Sequence, residues 1–242
     1  MSEAVTEFIA QAASHYNKKE QDDALFNFIL NGSQLPYLVL NKTFDAARVK
    51  RELAEVEKKD LFVQYYQKYD TTNTKDWYAS ALYGISAKNP WNAHGNVSDA
   101  HKLSTEYEWT ETAHTMPYFM SVLEDVLGTE SVTRSLIFKL APGGYVEPHR
   151  DIPLDQGYKM MQVSFHVQWP AGATWYLEGA EDGVYPTKEG TVAMHSSIAR
   201  HAIVNNSDEP RYFVWAFNKH TDRFKQLVID SYLKTQHERR FS

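Results

Sequence analysis

The sequence predicts an α+β fold: a β-sandwich or barrel in the C-terminal half, helices and strands before it, and one helix after it. Three observations predict this. From Ser131 to about Asn218, short strand-like runs alternate with Gly, Pro, Asp and Asn turns, the pattern of an all-β unit. Before that, amphipathic helical stretches are interleaved with aromatic-rich strands. After it, Thr221 to Leu233 reads as a closing helix with a charged end. A chain of 242 residues is long enough to bury its own core, and 43% apolar with 23% charged residues is an ordinary globular composition. A single unit over 1–242 is expected, with an elaboration at 1–130 buttressing a core at 131–220 and a closing helix within 221–242.

The elements follow in order. Val5 to Tyr16 reads as a short helix with Phe8, Ile9 and Ala12 on one side, and Leu35 to Leu40 as a strand. Asn41 to Thr43 offers a cap for a helix from Phe44 to Lys58, whose Ala47, Val49, Leu53 and Val56 form an apolar stripe. Leu61–Tyr66 and Trp77–Ile85 read as strands, and Ser86–Thr105, with Asn89-Pro90 and Gly95, as a loop whose His94 and His101 are ordinary loop histidines. Thr115 to Leu127 reads as a helix capped by Thr115, with Pro117 near its start and Gly128 ending it. The expected core strands are Ser135–Leu140, Gln162–Trp169, Thr174–Leu177, Thr191–Met194, Ala202–Asn205 and Tyr212–Phe217. Gly143-Gly144 reads as a turn leading into a strand. In Gln162–Trp169 every even position is polar and every odd one apolar, a strict period of two. The polar face then meets either water or a polar lumen, and the strand alone does not choose.

Composition removes several function classes. The chain has no cysteine, so a disulfide, a zinc finger, an iron–sulfur cluster and a thiol nucleophile are all excluded, and any metal site must use His, Asp or Glu. A net charge of −6 argues against general nucleic-acid binding. The longest apolar run, Tyr212 to Phe217, is far shorter than the ~18 residues of a membrane helix. The acidic start, Met-Ser-Glu-Ala-Val-Thr-Glu, has no apolar segment of a secretory signal, so the expected location is cytoplasmic. There is no Gly-x-Ser-x-Gly, no P-loop and no Gly-x-Gly-x-x-Gly.

The chemistry concentrates in Pro142-Gly143-Gly144-Tyr145-Val146-Glu147-Pro148-His149-Arg150-Asp151. His149 and Asp151 are two apart, so in extended backbone both side chains project to one side. An imidazole and a carboxylate on one face are two ligands for a divalent metal. A second histidine from a later strand would complete a 2-His-1-carboxylate triad, which leaves half of an octahedral ion open for exogenous ligands. The pair alone is a weak signal, because His220-Thr221-Asp222 repeats it. Only His149 has the right sequel: His201 stands fifty-two residues on, and Arg211 ten residues after that. A dicarboxylic keto acid chelating the metal would leave its second carboxylate several ångströms away, where a guanidinium can take it in a bidentate pair. His201 and Arg211, on successive strands joined by Asn206–Pro210, suit that task. His195 lies near His201 but at the wrong distance from Arg211, and reads as a substrate contact, a neighbour of the ligands or a strand-end histidine. Arg150 and Arg200 flank the ligands and should point the other way, into outer ion pairs. Trp175, Tyr145 and Trp215 read as core.

His-x-Asp, a long gap, then His with Arg ten residues on resembles the Fe(II)/2-oxoglutarate-dependent oxygenases. More narrowly, the chain is similar to the aspartyl/asparaginyl β-hydroxylase-type family, which includes hydroxylases of free proline. The resemblance is strongest over 115–217. It is carried by Met116-Pro117-Tyr118 and Leu123, by Arg134–Leu140 with Ala141-Pro142-Gly143-Gly144, by Pro148–Asp151, by Glu189-Gly190-Thr191, and by His201–Asn205 followed by Arg211. It implies a double-stranded β-helix (jelly-roll, cupin-like) core. It also implies Fe(II) on His149, Asp151 and His201, with 2-oxoglutarate held by Arg211 and by His166 of the family's Arg-x-His strand. O2 would be the oxidant, and an amino acid or aminoacyl side chain, free or in a peptide, would be hydroxylated with succinate and CO2 as co-products. The implied hydroxylase needs neither nucleic acid nor membrane. Two departures stand out. Ser164 occupies the place of the family's arginine as a cosubstrate-side residue, and the stretch from His149 to His166, with Asp155–Lys159, is longer than usual. Lys159 is a candidate to replace the missing charge. Two other readings remain: a cupin-type metal isomerase or dioxygenase without 2-oxoglutarate, and a non-enzymatic barrel that binds a ligand through structural histidines.

Overall fold

The computed structural model describes residues 17–65, 73–89, 107–151, 160–186 and 188–241. The expected helix at Val5–Tyr16, the loop carrying His94 and His101, and the segment with Lys159 lie outside the described residues. The first described element, α1 (Lys18–Asn31), has no counterpart among the expectations. Its charged start conceals an apolar side of Phe26, Ile29 and Leu30, and a reciprocal cap between Asn17 and Glu20 starts it. β1 (Tyr37–Thr43) is followed by α2 (Ala46–Lys58), which is capped by the Asp45 carboxylate rather than by Asn41–Thr43, since those residues are still strand. Val49, Leu53 and Val56 are buried as their spacing requires.

After β2 (Val63–Gln64), β3 (Thr74–Gly84) and β4 (Glu108–Trp109) come two short helices, α3 (Glu111–Thr115) and α4 (Pro117–Val126). Thr115 therefore ends one helix instead of capping the next. The cap of α4 comes from elsewhere in the chain: Glu52 of α2 accepts from the backbone N–H groups of Tyr118 and Phe119 at 2.7 and 3.0 Å. A carboxylate there satisfies two orphan donors and favours the positive end of the helix dipole.

The core strands are β5 (Val132–His149), β6 (Met160–Gln168), β7 (Ala173–Leu177), β8 (Thr191–Ser196), β9 (His201–Asn205) and β10 (Arg211–Asn218), and α5 (Asp222–Phe241) closes the chain. β5 is one strand of 18 residues rather than two strands separated by a turn. Its first part pairs with β10, its last part with β9, and β3 runs beside it. The bend lies at Gly143-Gly144: Gly143 has φ 72°, and a Cβ on Gly144 would sit 2.8–2.9 Å from Ala141 O, Leu140 Cδ1 and Lys75 O. By bending, β5 serves two sheets. One runs β1-β8-β6-β10-β5-β3-β2, the other β5-β9-β7, with a bridge from Tyr176 to Val184 extending it. Antiparallel β5-β10-β6-β8 facing β5-β9-β7 with the Val184 segment is the pairing of a double-stranded β-helix.

Two cores result. Outside the larger sheet, Val163, Phe165, Val167 and Val214 pack against Val49, Leu53, Phe119 and Leu123 of the helices. Between the sheets, Leu136, Phe138, Phe213, Trp215, Trp175 and Ile203 fill the lumen. The alternation of β6 is thereby resolved: its apolar face meets the helices and its polar face meets the lumen. Among the described residues no helix is long and apolar enough to cross a membrane.

Candidate metal centre

The bend in β5 delivers His149 opposite His201 of β9 in antiparallel register, so the two imidazoles meet with ring centroids 4.4 Å apart. Asp151 follows the strand end, where its backbone N–H bonds Ser197 O at 3.1 Å. Its Oδ1 lies 3.5 Å from His149 Nε2 and 3.7 Å from His201 Nε2. All three ligand atoms fall within 4.8 Å of one another. Each histidine turns its other nitrogen to a carbonyl: His149 Nδ1 to Glu147 O at 2.8 Å, His201 Nδ1 to Ala199 O at 3.1 Å. A backbone carbonyl only accepts, so Nδ1 carries the proton and Nε2 presents its lone pair to the shared point. Two neutral imidazoles and one carboxylate are a donor set suited to Fe(II).

The carboxylate is oriented from behind. Gln162 Nε2 donates to Asp151 Oδ2 at 2.8 Å, and His195 Nε2 stands 4.0 Å from the same oxygen. Gln162 and His195 are themselves cross-strand partners on β6 and β8. Burial pushes the Asp151 carboxyl upward, but His201, His149 and His195 outweigh it and hold it well below the usual carboxylate range. Burial lowers His201, partly offset by Asp151. Arg150 points outward as expected, to Ile198 O at 2.9 Å and Glu178 at 2.8 Å, and Glu178 also receives the Arg200 backbone N–H at 2.9 Å.

Deeper in the lumen lies a cradle of buried polar groups. Arg211, His166, Ser164, His195, Trp175 and Tyr185 all hold polar side-chain atoms with no hydrogen-bond partner among the described residues. Each such atom typically costs about 1–3 kcal/mol if left unpaired. Arg211 is 1% exposed and forms no ion pair among the described residues. Its guanidinium is packed on aromatic faces instead, 3.9 Å from the Trp169 centroid, 4.5 Å from Phe213 and 5.1 Å from Trp175. Burial depresses its pKa, opposed only by Tyr185. Trp175 links the cradle to the triad, its ring 4.8 Å from His195 and 6.2 Å from His201. Burial, then the Arg211 charge and His195, push His166 down to about 3, so its imidazole is neutral at pH 7. A buried cation among neutral donors thus lies beside a triad able to hold a metal, and it can take an anion.

The structure thus brings His149, Asp151 and His201 to one point and sets Arg211, His166 and Ser164 in the adjoining lumen. His201 and Arg211 are not on neighbouring strands of one sheet, as the short connection suggests. They sit in opposite sheets, since β9 pairs with the end of β5 and β10 with its beginning, Arg211 opposite Leu140. Asn205 fixes the turn between them by donating to Leu140 O and Glu209 O, both at 2.9 Å. Gln162 and Tyr185 were missed. Gln162 had a signal, as the first polar residue of the alternating strand. Tyr185 had none, because it lies in the irregular stretch between β7 and β8.

Residues 43–220 match the family described as aspartyl/asparaginyl β-hydroxylase. No curated protein matches the chain. Among solved structures it is similar to a prolyl-4-hydroxylase of Pseudomonas putida, at 11% identity over 83% of this chain and 100% of that one, TM-score 0.44. It is also similar to a 2OG-Fe(II) oxygenase family oxidoreductase of Burkholderia pseudomallei (13% identity, 83% and 91% covered, TM-score 0.45). A third is a Trichoplax adhaerens prolyl hydroxylase in complex with a hypoxia inducible factor peptide fragment (13%, 84% and 94%, TM-score 0.45). At these values the three likenesses assign no residue and no reaction to this chain.

Proposed function

The chain belongs to the aspartyl/asparaginyl β-hydroxylase family, and from that premise we propose that it is an Fe(II)- and 2-oxoglutarate-dependent hydroxylase acting on an unactivated C–H bond of an amino acid or aminoacyl side chain, free or in a peptide. In this reading His149, Asp151 and His201 hold the iron, and Arg211, His166 and Ser164 hold 2-oxoglutarate. When bound, iron and keto acid together supply the oxidising chemistry from O2, with succinate and CO2 as co-products.

The chain's own residues do the positioning. The carbonyls of Glu147 and Ala199 keep His149 and His201 in the tautomer whose Nε2 binds metal. Gln162 keeps the second oxygen of Asp151 occupied, which leaves one oxygen facing the imidazoles. Arg211 supplies the charge for the far carboxylate. Its packing on Trp169, Trp175 and Phe213 excludes water, which makes that pairing stronger than at a surface.

The observation that carries this reading is the conjunction of a convergent His-Asp-His set with a buried, unpaired guanidinium in one lumen. A metal isomerase without the keto acid has no use for Arg211. The test is Fe(II)-dependent consumption of 2-oxoglutarate in the presence of free amino acids and of short peptides. Stoichiometric succinate and a hydroxylated product with one of them are expected. Failure of every amino acid and peptide to raise succinate release, in protein that binds iron, would contradict the substrate class.

A further inference from the structure

Trp169 faces the wrong way for its place in the sequence. Along β6 the odd positions Val163, Phe165 and Val167 pack against the helices, yet Trp169 packs in the lumen. A bulge makes the difference. His166 stands opposite Phe213 of β10 and Gln168 opposite Tyr212, so one residue of β6 is left over, and the side chains beyond it are re-aimed. Two hydrogen bonds hold Trp169 in that setting. Its backbone N–H donates to Glu189 Oε1 and its indole N–H to Ala173 O, both at 2.9 Å. Glu189, just before β8, is fixed in turn by Lys50 of α2, whose Nζ donates to the second carboxylate oxygen at 2.8 Å. The adjoining Gly190 donates to His166 O at 2.8 Å and accepts from Phe44 N–H at 2.9 Å.

The contact that results is with Arg211. Its guanidinium lies 3.9 Å from the centroid of the Trp169 ring, and that ring is stacked on Trp175 at an interplanar angle of 7°. An aromatic face holds a guanidinium by its plane and uses none of its N–H donors. Nε and Nη2 of Arg211 indeed have no partner among the described residues. A carboxylate would also hold Arg211 in place, but it would occupy the donors and neutralise the charge that an anion needs.

We propose that Glu189 is a positioning residue for the cosubstrate: by fixing the bulged end of β6 it keeps the Trp169 indole on Arg211, and so keeps the guanidinium in place with its donors free for the keto acid. The inference rests on the reading of the site given above. It makes the Lys50–Glu189 pair, outside the lumen, a determinant of affinity inside it.

The experiment measures the dissociation constant of 2-oxoglutarate by calorimetry on the Fe(II)-loaded protein without oxygen. The Glu189 side chain is 36% exposed, so truncating it opens no core. Glu189→Ala should weaken 2-oxoglutarate binding about tenfold, the effect of loosening a cation–π contact in a dry site. Fe(II) affinity should stay within about twofold of wild type, because the metal ligands are not among the partners of Glu189. Glu189→Gln keeps an acceptor for the Trp169 N–H and should bind 2-oxoglutarate within about threefold of wild type. The deciding variant is Trp169→Leu. Alone it should weaken binding about as much as Glu189→Ala, and adding Glu189→Ala to it should cost nothing more, as for two residues that act through one contact. Losses that multiply in the double variant would overturn the proposal, and so would a Glu189→Gln variant as weak as Glu189→Ala. An unchanged 2-oxoglutarate affinity in Glu189→Ala, whatever its thermal midpoint, would make Glu189 structural only. A wild type that binds iron but not 2-oxoglutarate would overturn the underlying reading instead.

Discussion

The chain contains His-x-Asp twice, and the two copies have become different things. At His149 and Asp151 the backbone is the end of a strand, so both side chains point the same way and meet His201 with donor atoms within 4.8 Å. At His220 and Asp222 the backbone is turning into α5. Thr221 caps that helix, its hydroxyl accepting from Phe224 N at 3.3 Å. There His220 packs on Phe26 at 5.0 Å and Phe224 at 6.0 Å, and Asp222 pairs with Lys19 at 3.1 Å on the surface. The residues are the same, and what differs is backbone geometry. An extended segment presents i and i+2 as a pair, and a helix start does not.

Breaking each copy gives the largest contrast. His149→Ala or His201→Ala should lower Fe(II)-dependent 2-oxoglutarate consumption at least about a thousandfold, while the far-ultraviolet dichroism stays that of wild type; neutral-ligand loss from a three-ligand site removes the metal itself. His220→Ala should stay within about twofold in the same assay and show its effect in thermal stability, as the loss of ring packing. Comparable activity losses in both copies would mean that the triad is not where the chemistry occurs.

The next largest effect lies with the anion end. Arg211→Ala should raise the 2-oxoglutarate concentration for half-maximal rate by about 10- to 100-fold, the size of a lost charge-assisted pair. An unmoved requirement would remove Arg211 from the cosubstrate site. Gln162→Leu should weaken Fe(II) binding about tenfold in a competitive metal titration, since it frees Asp151 to rotate. The equivalent truncation beside the second copy, Lys19→Ala, should leave metal affinity alone, and equal effects would erase the distinction.

The smallest contrast is in pH. One region buries His166 and the other half-buries His220, and this lowers the pKa of each, with His166 at about 3 and His220 shifted in the same direction. In the unfolded chain a histidine takes up its proton near pH 6.5. Between pH 6.5 and 3 the unfolded state therefore binds more protons than the folded one, and stability falls as pH falls through that window. Chemical denaturation at pH 7 and pH 5 should show a drop that His166→Asn reduces more than His220→Asn does. The reverse order would place the more strongly buried imidazole at the wrong end of the molecule.

How much of this was legible follows from the range of the interactions. The strict alternation holds along the strand to Gln168, after which Trp169 turns into the lumen onto Arg211, and of the expected stripe Val49, Leu53 and Val56 are buried while Ala47 is exposed; both are local periodicities. The convergence of His149, Asp151 and His201 was legible because two residues at i and i+2 of extended backbone share one face. Contacts between distant segments were not. Glu52 caps a helix more than sixty residues away, which left Thr115 as the only cap in sight. Gly143-Gly144 announced a turn into a further strand, but the close approach of Lys75 O to Gly144 comes from a distant segment, and the local sequence does not reveal that the two strands run on as one. The placing of His201 and Arg211 in opposite sheets likewise follows from how β5 is shared.

The most direct test of the account is the visible spectrum of the Fe(II)-loaded protein titrated with 2-oxoglutarate without oxygen. A keto acid chelated to Fe(II) gives a weak metal-to-ligand charge-transfer band, with no substrate needed. The account predicts the band in wild type and in His220→Ala, and its absence in His201→Ala. Folded, iron-loaded wild type with no band, or a band that survives in His201→Ala, would contradict it.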